Sequence, residues 1–158
     1  MTPIKLKPEY IKPANDFSPE YCFIKDPKQD QVKQILYLYK SQGWWNSKIG
    51  DNYSLVRAII AGSHLFSVAI NKKKNEILGM GRAISDGASD AYIQDVMVKN
   101  EFREFGIGSM IIQTLVKQLY EEKIGWIGLV AEPGCKPFYS RMGFQPMAGA
   151  VPMLHKKI

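Results

Sequence analysis

Cysteine and histidine are scarce in this chain. Among its 158 residues there are two of each, Cys22, Cys135, His64 and His155. No two of them stand at the C-x-x-C or H-E-x-x-H spacing that holds zinc, so no metal is expected. Two cysteines build no disulfide framework, which points to a reducing compartment. Apolar runs are short: none approaches the ~18 residues of a membrane span. The N-terminus lacks the apolar core of a secretory signal. The expectation is a cytoplasmic protein with no membrane partner. The length is that of one ordinary domain, which argues against most multi-domain enzymes and leaves little room for a regulatory module.

What is present fits a globular chain, with 46% hydrophobic and 23% charged residues. The formal charge is +6. The basic surplus lies mainly in the N-terminal half, partly in the run Lys72-Lys73-Lys74. Such a surplus suits anionic partners such as phosphates and nucleotides. An RNA-binding sheet would interleave aromatic and basic residues on one face. No such pattern occurs and the lysine run falls in a turn, so nucleic acid is not an expected partner.

Four prolines punctuate residues 1–20, which predicts an extended arm in front of a single domain over 21–158. Strand character follows at 21–24. The spacing of Val32, Ile35, Leu36 and Tyr39 predicts an amphipathic helix over 28–42, and Leu55, Val56, Ile59 and Ile60 predict a second over 53–61, ended by Gly62. Residues 64–70 and 76–85 read as a hairpin around the polar turn 71–75. Asp86-Gly87 is a turn pair, and 91–98 is a further strand. A helix over 106–123 carries the stripe Ile107, Ile111, Leu115 and Leu119, widened by Met110 and Ile112. A strand at 126–131, a short helix at 137–142 and two extended segments from Phe144 onward complete the order. The fold class expected is α/β (α+β): a mixed sheet with helices on both faces.

One unit carries chemistry. After the strand 91–98 comes Arg103-Glu104-Phe105-Gly106-Ile107-Gly108 at the mouth of the long helix. A helix N-terminus presents unpaired N–H groups and the positive end of its dipole, and phosphates bind there. Glycines remove the Cβ atoms that would block backbone approach. Arg103 adds a fixed positive charge and a planar donor set suited to a diphosphate. Downstream stands Phe138-Tyr139-Ser140-Arg141-Met142-Gly143-Phe144.

With both segments in place the chain resembles the GNAT superfamily of acetyl-CoA-dependent N-acetyltransferases. That family pairs an Arg/Gln-x-x-Gly-x-Gly/Ala pyrophosphate loop with a downstream F-Y-x-x-x-G-F segment. The order of elements from about residue 21 to 150 is similar too. The stretch Gly79-Met80-Gly81-Arg82-Ala83-Ile84-Ser85-Asp86, with Asp95-Val96-Met97-Val98, resembles a subgroup that includes plant serotonin (arylalkylamine) N-acetyltransferases. Glu104 and Phe105 depart from the commonest pattern, which has a basic residue or glycine there.

The resemblance implies a site as well as a fold, the fold being a mixed, mostly antiparallel sheet with a central splayed parallel strand pair and helices on both faces. Strands 91–98 and 126–131 would splay, and acetyl-CoA would sit between them with its pantetheine on Val96, Met97 and Val98, in the manner of an added strand. Its diphosphate would lie on Arg103, Glu104, Phe105, Gly106, Ile107, Gly108 and Ser109, and Phe138 would contact the cofactor. Acetyl would pass directly to an amine. The backbone N–H of Met97 would face the oxyanion, and Tyr139 would serve as general acid with an ordinary phenol pKa near ~10. For the base the candidates are Asp95, then Glu132, with Asp86 a weaker one, or none of these. Strand alternation would turn Gln94 and Asp95 to opposite faces, so that only one sees the pocket. Trp44 and Trp45, adjacent and exposed, would bind the acceptor amine, with Asp86 as a weaker contact. Tyr53 and His64 have no stronger claim. Cys135 reads as a packing residue, since direct transfer needs no acyl carrier. The substrate expected is a small primary amine; a protein or peptide N-acetyltransferase and a non-catalytic acyl-CoA-binding module are the alternatives. The resemblance also allows a homodimer through edge strands or C-terminal segments.

Overall fold

A computed structural model describes residues 18–45 and 50–156. The arm expected over 1–20 lies outside the described residues through position 17, as do residues 46–49 of the loop after Trp45. The elements run β1 (Glu20–Phe23), α1 (Gln29–Ser41), α2 (Tyr53–Ala61), β2 (Leu65–Asn71), β3 (Glu76–Ser85), β4 (Asp90–Val98), α3 (Ile107–Glu121), β5 (Trp126–Gly128) and α4 (Lys136–Ser140). They form one five-stranded sheet in the order β1-β2-β3-β4-β5. The first four strands are antiparallel, and β4 and β5 are parallel. Among the described residues no helix is long and apolar enough to cross a membrane.

Local chemistry sets the helix ends. The Lys28 N–H donates to Gln31 Oε1 at 2.8 Å as α1 begins, and the Leu55 N–H donates to Asn52 Oδ1 at 2.9 Å as α2 begins. The Gly62 N–H closes α2 by donating to the Ala58 carbonyl. Helices cover both faces of the sheet. Val32, Ile35, Leu36, Leu38 and Tyr39 of α1 and Val56 and Ile60 of α2 bury against Phe66, Val68, Ile77, Met80 and Met97. Ile107, Ile111, Ile112, Leu115 and Leu119 of α3 bury against Leu65, Ala69, Leu78, Ala83, Ala91 and Ile93. Each fully buried Ile or Leu is worth roughly 2 kcal/mol of transfer free energy. Met110, expected to widen the α3 stripe, instead lies 38% exposed.

Two strand expectations fail. The strand expected over 126–131 stops at Gly128, because its chain then diverges from β4. The two final strands do not form among the described residues, and β5 is the sheet edge. Pro146 and Pro152 have no N–H to give a ladder, and Gly149 turns the chain at φ 74°. Val151, Met153 and Leu154 are left exposed.

Candidate active site

The parallel ladder is three residues long: Asp90 faces Trp126, Ala91 faces Ile127 and Tyr92 faces Gly128. β4 runs on to Val98. From Ile93 onward its backbone edge has no strand beside it among the described residues, and backbone N–H and C=O groups left open need partners. A cavity of about 1110 Å³ opens at this wedge. That is the size of a cofactor site, at the upper end of the usual ~300–1,000 Å³.

A bulge in β4 shapes the cavity. Met80 pairs with Met97 and Arg82 with Gln94, so Asp95 and Val96 together oppose Gly81 alone. Asp95 takes φ 53°, a left-handed conformation that Asp adopts more readily than most side chains. The extra residue breaks the two-residue alternation. Gln94 and Asp95, expected on opposite faces, both line the cavity and both reach Arg82. Arg82 Nε donates to Asp95 Oδ2 at 2.5 Å, and Arg82 Nη2 donates to Gln94 Oε1 at 3.2 Å. The Tyr39 hydroxyl, from α1, donates to the same Asp95 Oδ2 at 2.8 Å. Burial, and then the Asp95 charge, push the Tyr39 phenol far above its ordinary value, so it stays a donor. The Tyr39 ring stacks on Trp45 with centroids 4.4 Å apart and planes 9° apart. Trp44 lies 6.5 Å from the same ring, tilted and 42% exposed.

The start of α3 forms the other end. Gly106 precedes it at φ 76°, and no side chain caps the first turn. The first N–H groups of the helix therefore keep their capacity for an anion at the cavity wall. Gly108 lies under the Phe138 ring; a Cβ there would stand 3.3 Å from Phe138 Cζ. Arg103 is turned toward the carbonyl of Val98 at 3.4 Å, a weak contact, and toward Gln42 Oε1 at 3.1 Å.

Tyr139 lies in α4, edge-on to Phe138 at 5.0 Å and to Phe144 at 6.0 Å. Burial raises its pKa above the ordinary phenol value, and the nearby Cys135 and Glu132 raise it further. The unperturbed phenol expected from sequence is thus corrected: this hydroxyl holds its proton more tightly.

Of the residues singled out in sequence, Trp44, Trp45, Asp95, Val96, Met97, Val98, Arg103, Glu104, Gly106, Ile107, Gly108, Ser109, Glu132, Phe138 and Tyr139 all line this one cavity. Phe105 does not; it is 44% exposed between the left-handed Glu104 and Gly106, whose backbone turn carries its ring outward. Asp86 does not either. Its carboxylate accepts from the Ala88 and Ser89 N–H groups at 2.8 and 2.9 Å, which hold its pKa down at about 2. It serves its own turn. Trp45, expected to be exposed, is half-buried on Tyr39. Tyr39, Gln42, Tyr92 and Arg82 line the cavity without having been anticipated. Arg82 left a signal: a charged residue inside the apolar strand Gly79–Ala83 needs a buried partner, and Asp95 on the next strand is the carboxylate in reach.

The sequence also matches known proteins. The model of the acetyltransferase (GNAT) domain matches residues 62–146, more than half of the chain. An uncharacterized N-acetyltransferase, ycf52, of Pyropia yezoensis is 29% identical over 124 residues, which are 77% of this chain and 69% of that one. The histone acetyltransferase TAP1 of Glycine max is 34% identical over 90 residues, 55% of this chain and 39% of that one. Among solved structures, a predicted acetyltransferase of Clostridium acetobutylicum determined with acetyl-CoA superposes at a TM-score of 0.66 and 18% identity, over 87% of this chain and 96% of that one.

Proposed function

This chain belongs to the GNAT acetyltransferase family, and we propose that it moves an acetyl group from acetyl-CoA to the primary amine of a small molecule in the cytoplasm. The observation that carries this reading is the wedge after Tyr92 and Gly128, which leads from the open β4 backbone to the uncapped start of α3. When bound, acetyl-CoA supplies the acetyl group in activated form as a thioester. The free backbone edge of Val96, Met97 and Val98 would hold the pantetheine amides, and the Met97 N–H would donate to the oxygen that gains charge. The first turn of α3 with Arg103 would hold the diphosphate. Phe138 would press on the cofactor from the far side.

Tyr139 is the donor to the departing sulfur. Because its pKa is raised, transfer of its proton to a thiolate of pKa near ~8.5 is uphill. The phenol therefore stabilises the thiolate by hydrogen bonding, and solvent completes protonation. Asp95 is already shared by Arg82 and Tyr39. Glu132, on the exposed side of the cavity, is better placed to take the ammonium proton through water. At the acceptor end, Tyr39, Trp44 and Trp45 offer aromatic faces to a cationic amine. Arylalkylamines are the first class to try, in keeping with the subgroup resemblance.

The test is thiol release from acetyl-CoA against arylalkylamines, polyamines, amino acids, amino sugars and lysine peptides, for wild type and Tyr139→Phe. Turnover on one small-amine class, with kcat about 10²-fold lower in the variant, is expected. Turnover on lysine peptides alone would move the reading to a protein acetyltransferase, in line with the soybean relative's name. Failure to bind acetyl-CoA in calorimetry would sink it.

A further inference from the structure

The clamp on the β4 bulge has a role that a search for a general base overlooks. Asp95 is the extra residue, in left-handed backbone, and the pairing of β4 with β5 ends three residues before it. A bulge bends its strand and increases the local twist. Here residues 96–98 lie beyond the bulge, past the end of the β4–β5 ladder, with Gly81 opposite the bulge. Gly81 faces Ile111 and Val96 so closely that no side chain fits. The bulge is tied from two sides. Arg82 reaches it from β3 and Tyr39 from α1, and both end on the same carboxylate oxygen, Oδ2. The Arg82 and Asp95 side chains are 15% and 22% exposed, so the pair is well shielded from water.

We propose that Asp95 is a positioning residue and not the base: with Arg82 and Tyr39 it locks the bulge that opens the wedge, and through the Tyr39–Trp45 stack it sets the acceptor wall from the same point. This rests on the function proposed above. Because both bonds go to one oxygen, an asparagine side-chain oxygen can accept both, whereas a base cannot survive that exchange. Glycine adopts the left-handed backbone freely, and alanine does not.

The experiment compares Asp95→Asn, Asp95→Gly and Asp95→Ala with wild type in three readouts. These are acetyl-CoA affinity by calorimetry, the pH profile of kcat, and the backbone chemical shifts of residues 95–97 without ligand. The expected result for Asp95→Asn is affinity within about threefold and kcat within about tenfold of wild type, with the acid limb of the profile unmoved. For Asp95→Ala, affinity falls at least about tenfold and the residue-95 shifts leave the left-handed range, with Asp95→Gly between it and wild type. Loss of more than about 10²-fold in kcat together with the acid limb in Asp95→Asn would make Asp95 the base and overturn the proposal. So would wild-type affinity and shifts in Asp95→Ala. Should Asp95→Ala not fold, the order of Asp95→Asn and Asp95→Gly decides in the same sense. If wild type itself fails to bind acetyl-CoA, the functional reading falls. The unliganded shifts still decide the clamp: left-handed values retained in Asp95→Ala overturn it, and their loss in Asp95→Ala with retention in Asp95→Asn supports it.

Discussion

Replacing Gly81 by alanine is a small change with a large expected effect. The added methyl would stand 2.8 Å from Ile111 Cγ2, 3.2 Å from Val96 Cγ2 and 3.4 Å from Leu115 Cδ1. Ile111 and Leu115 have no solvent exposure. Ile111 Cγ2 sits on a β-branched side chain with one strongly preferred rotamer in a helix, so it cannot swing aside. Relief must come from α3 lifting or from β4 shifting at the bulge. Overpacking of this kind costs about 1–3 kcal/mol. At about 2–4 °C per kcal/mol for a chain of this size, the midpoint is a fall of about 4–8 °C in Tm. Gly125→Ala is the matched control, since nothing lies within 4 Å of its added Cβ and its backbone is not left-handed. It should melt within about 2 °C of wild type, as surface substitutions do. Differential scanning calorimetry on the two variants makes the measurement. Because α3 also carries Ile107, Gly108 and Ser109 into the cavity, Gly81→Ala should weaken acetyl-CoA binding and Gly125→Ala should not. Equal melting temperatures for the two variants would refute the packing argument.

Three further outcomes follow from the structure. The Ser67 hydroxyl is fully buried and has no hydrogen-bond partner among the described residues; Ser67→Ala should leave stability unchanged or raise it by about 1 kcal/mol in chemical denaturation, and a clear loss would mean the hydroxyl is satisfied in solution. Asp86→Ala should lower Tm at neutral pH. Because the folded pKa of Asp86 is depressed to about 2, its contribution is present above the unfolded value near ~3.9 and is lost as pH falls toward the folded one. The difference between variant and wild type should therefore close in thermal melts at that acidic end. Cys135 lines the cavity beside Tyr139; if acetyl passes directly to the amine, Cys135→Ala keeps kcat within about threefold, and loss of turnover with a trapped acyl-enzyme by mass spectrometry would point to a covalent route.

Periodicity made much of this fold readable. The stripes of α1, α2 and α3 are spaced as helices and bury as expected, and the hairpin β2–β3 follows from two apolar runs around a lysine-rich turn. What periodicity cannot carry is an interruption of itself. The bulge at Asp95 uses no glycine at the left-handed position and looks like ordinary alternation in one dimension. It exists because Arg82 and Tyr39, from two other elements, converge on that carboxylate. The end of β5 is similar: Leu129 and Val130 have strand character, yet they leave β4 and line the cavity. Residues 103, 104 and 106–109 of the glycine motif line the cavity, whereas the Phe105 side chain turns outward. A motif of this kind specifies where main chain comes close to a ligand and says little about which way its intervening side chains turn.

The sheet separates two cores that have no buried residue in common. One lies under α1 and α2, the other under α3. The aromatic wall of the cavity, Tyr39, Trp44 and Trp45, hangs from the first, whereas the α3 turn, Phe138 and Tyr139 belong to the second. Substitutions that reshape the α1–α2 side are thus insulated from the packing that holds the α3 turn, as changes at distant sites without shared partners usually add independently. The exceptions are Asp95, tied to Tyr39 of α1, Met97, buried in the first core, and Arg103, which reaches Gln42 at the end of α1. A lineage of such proteins could exchange one acceptor for another by drift in the first core, leaving the α3 half of the site untouched as long as those few contacts are kept.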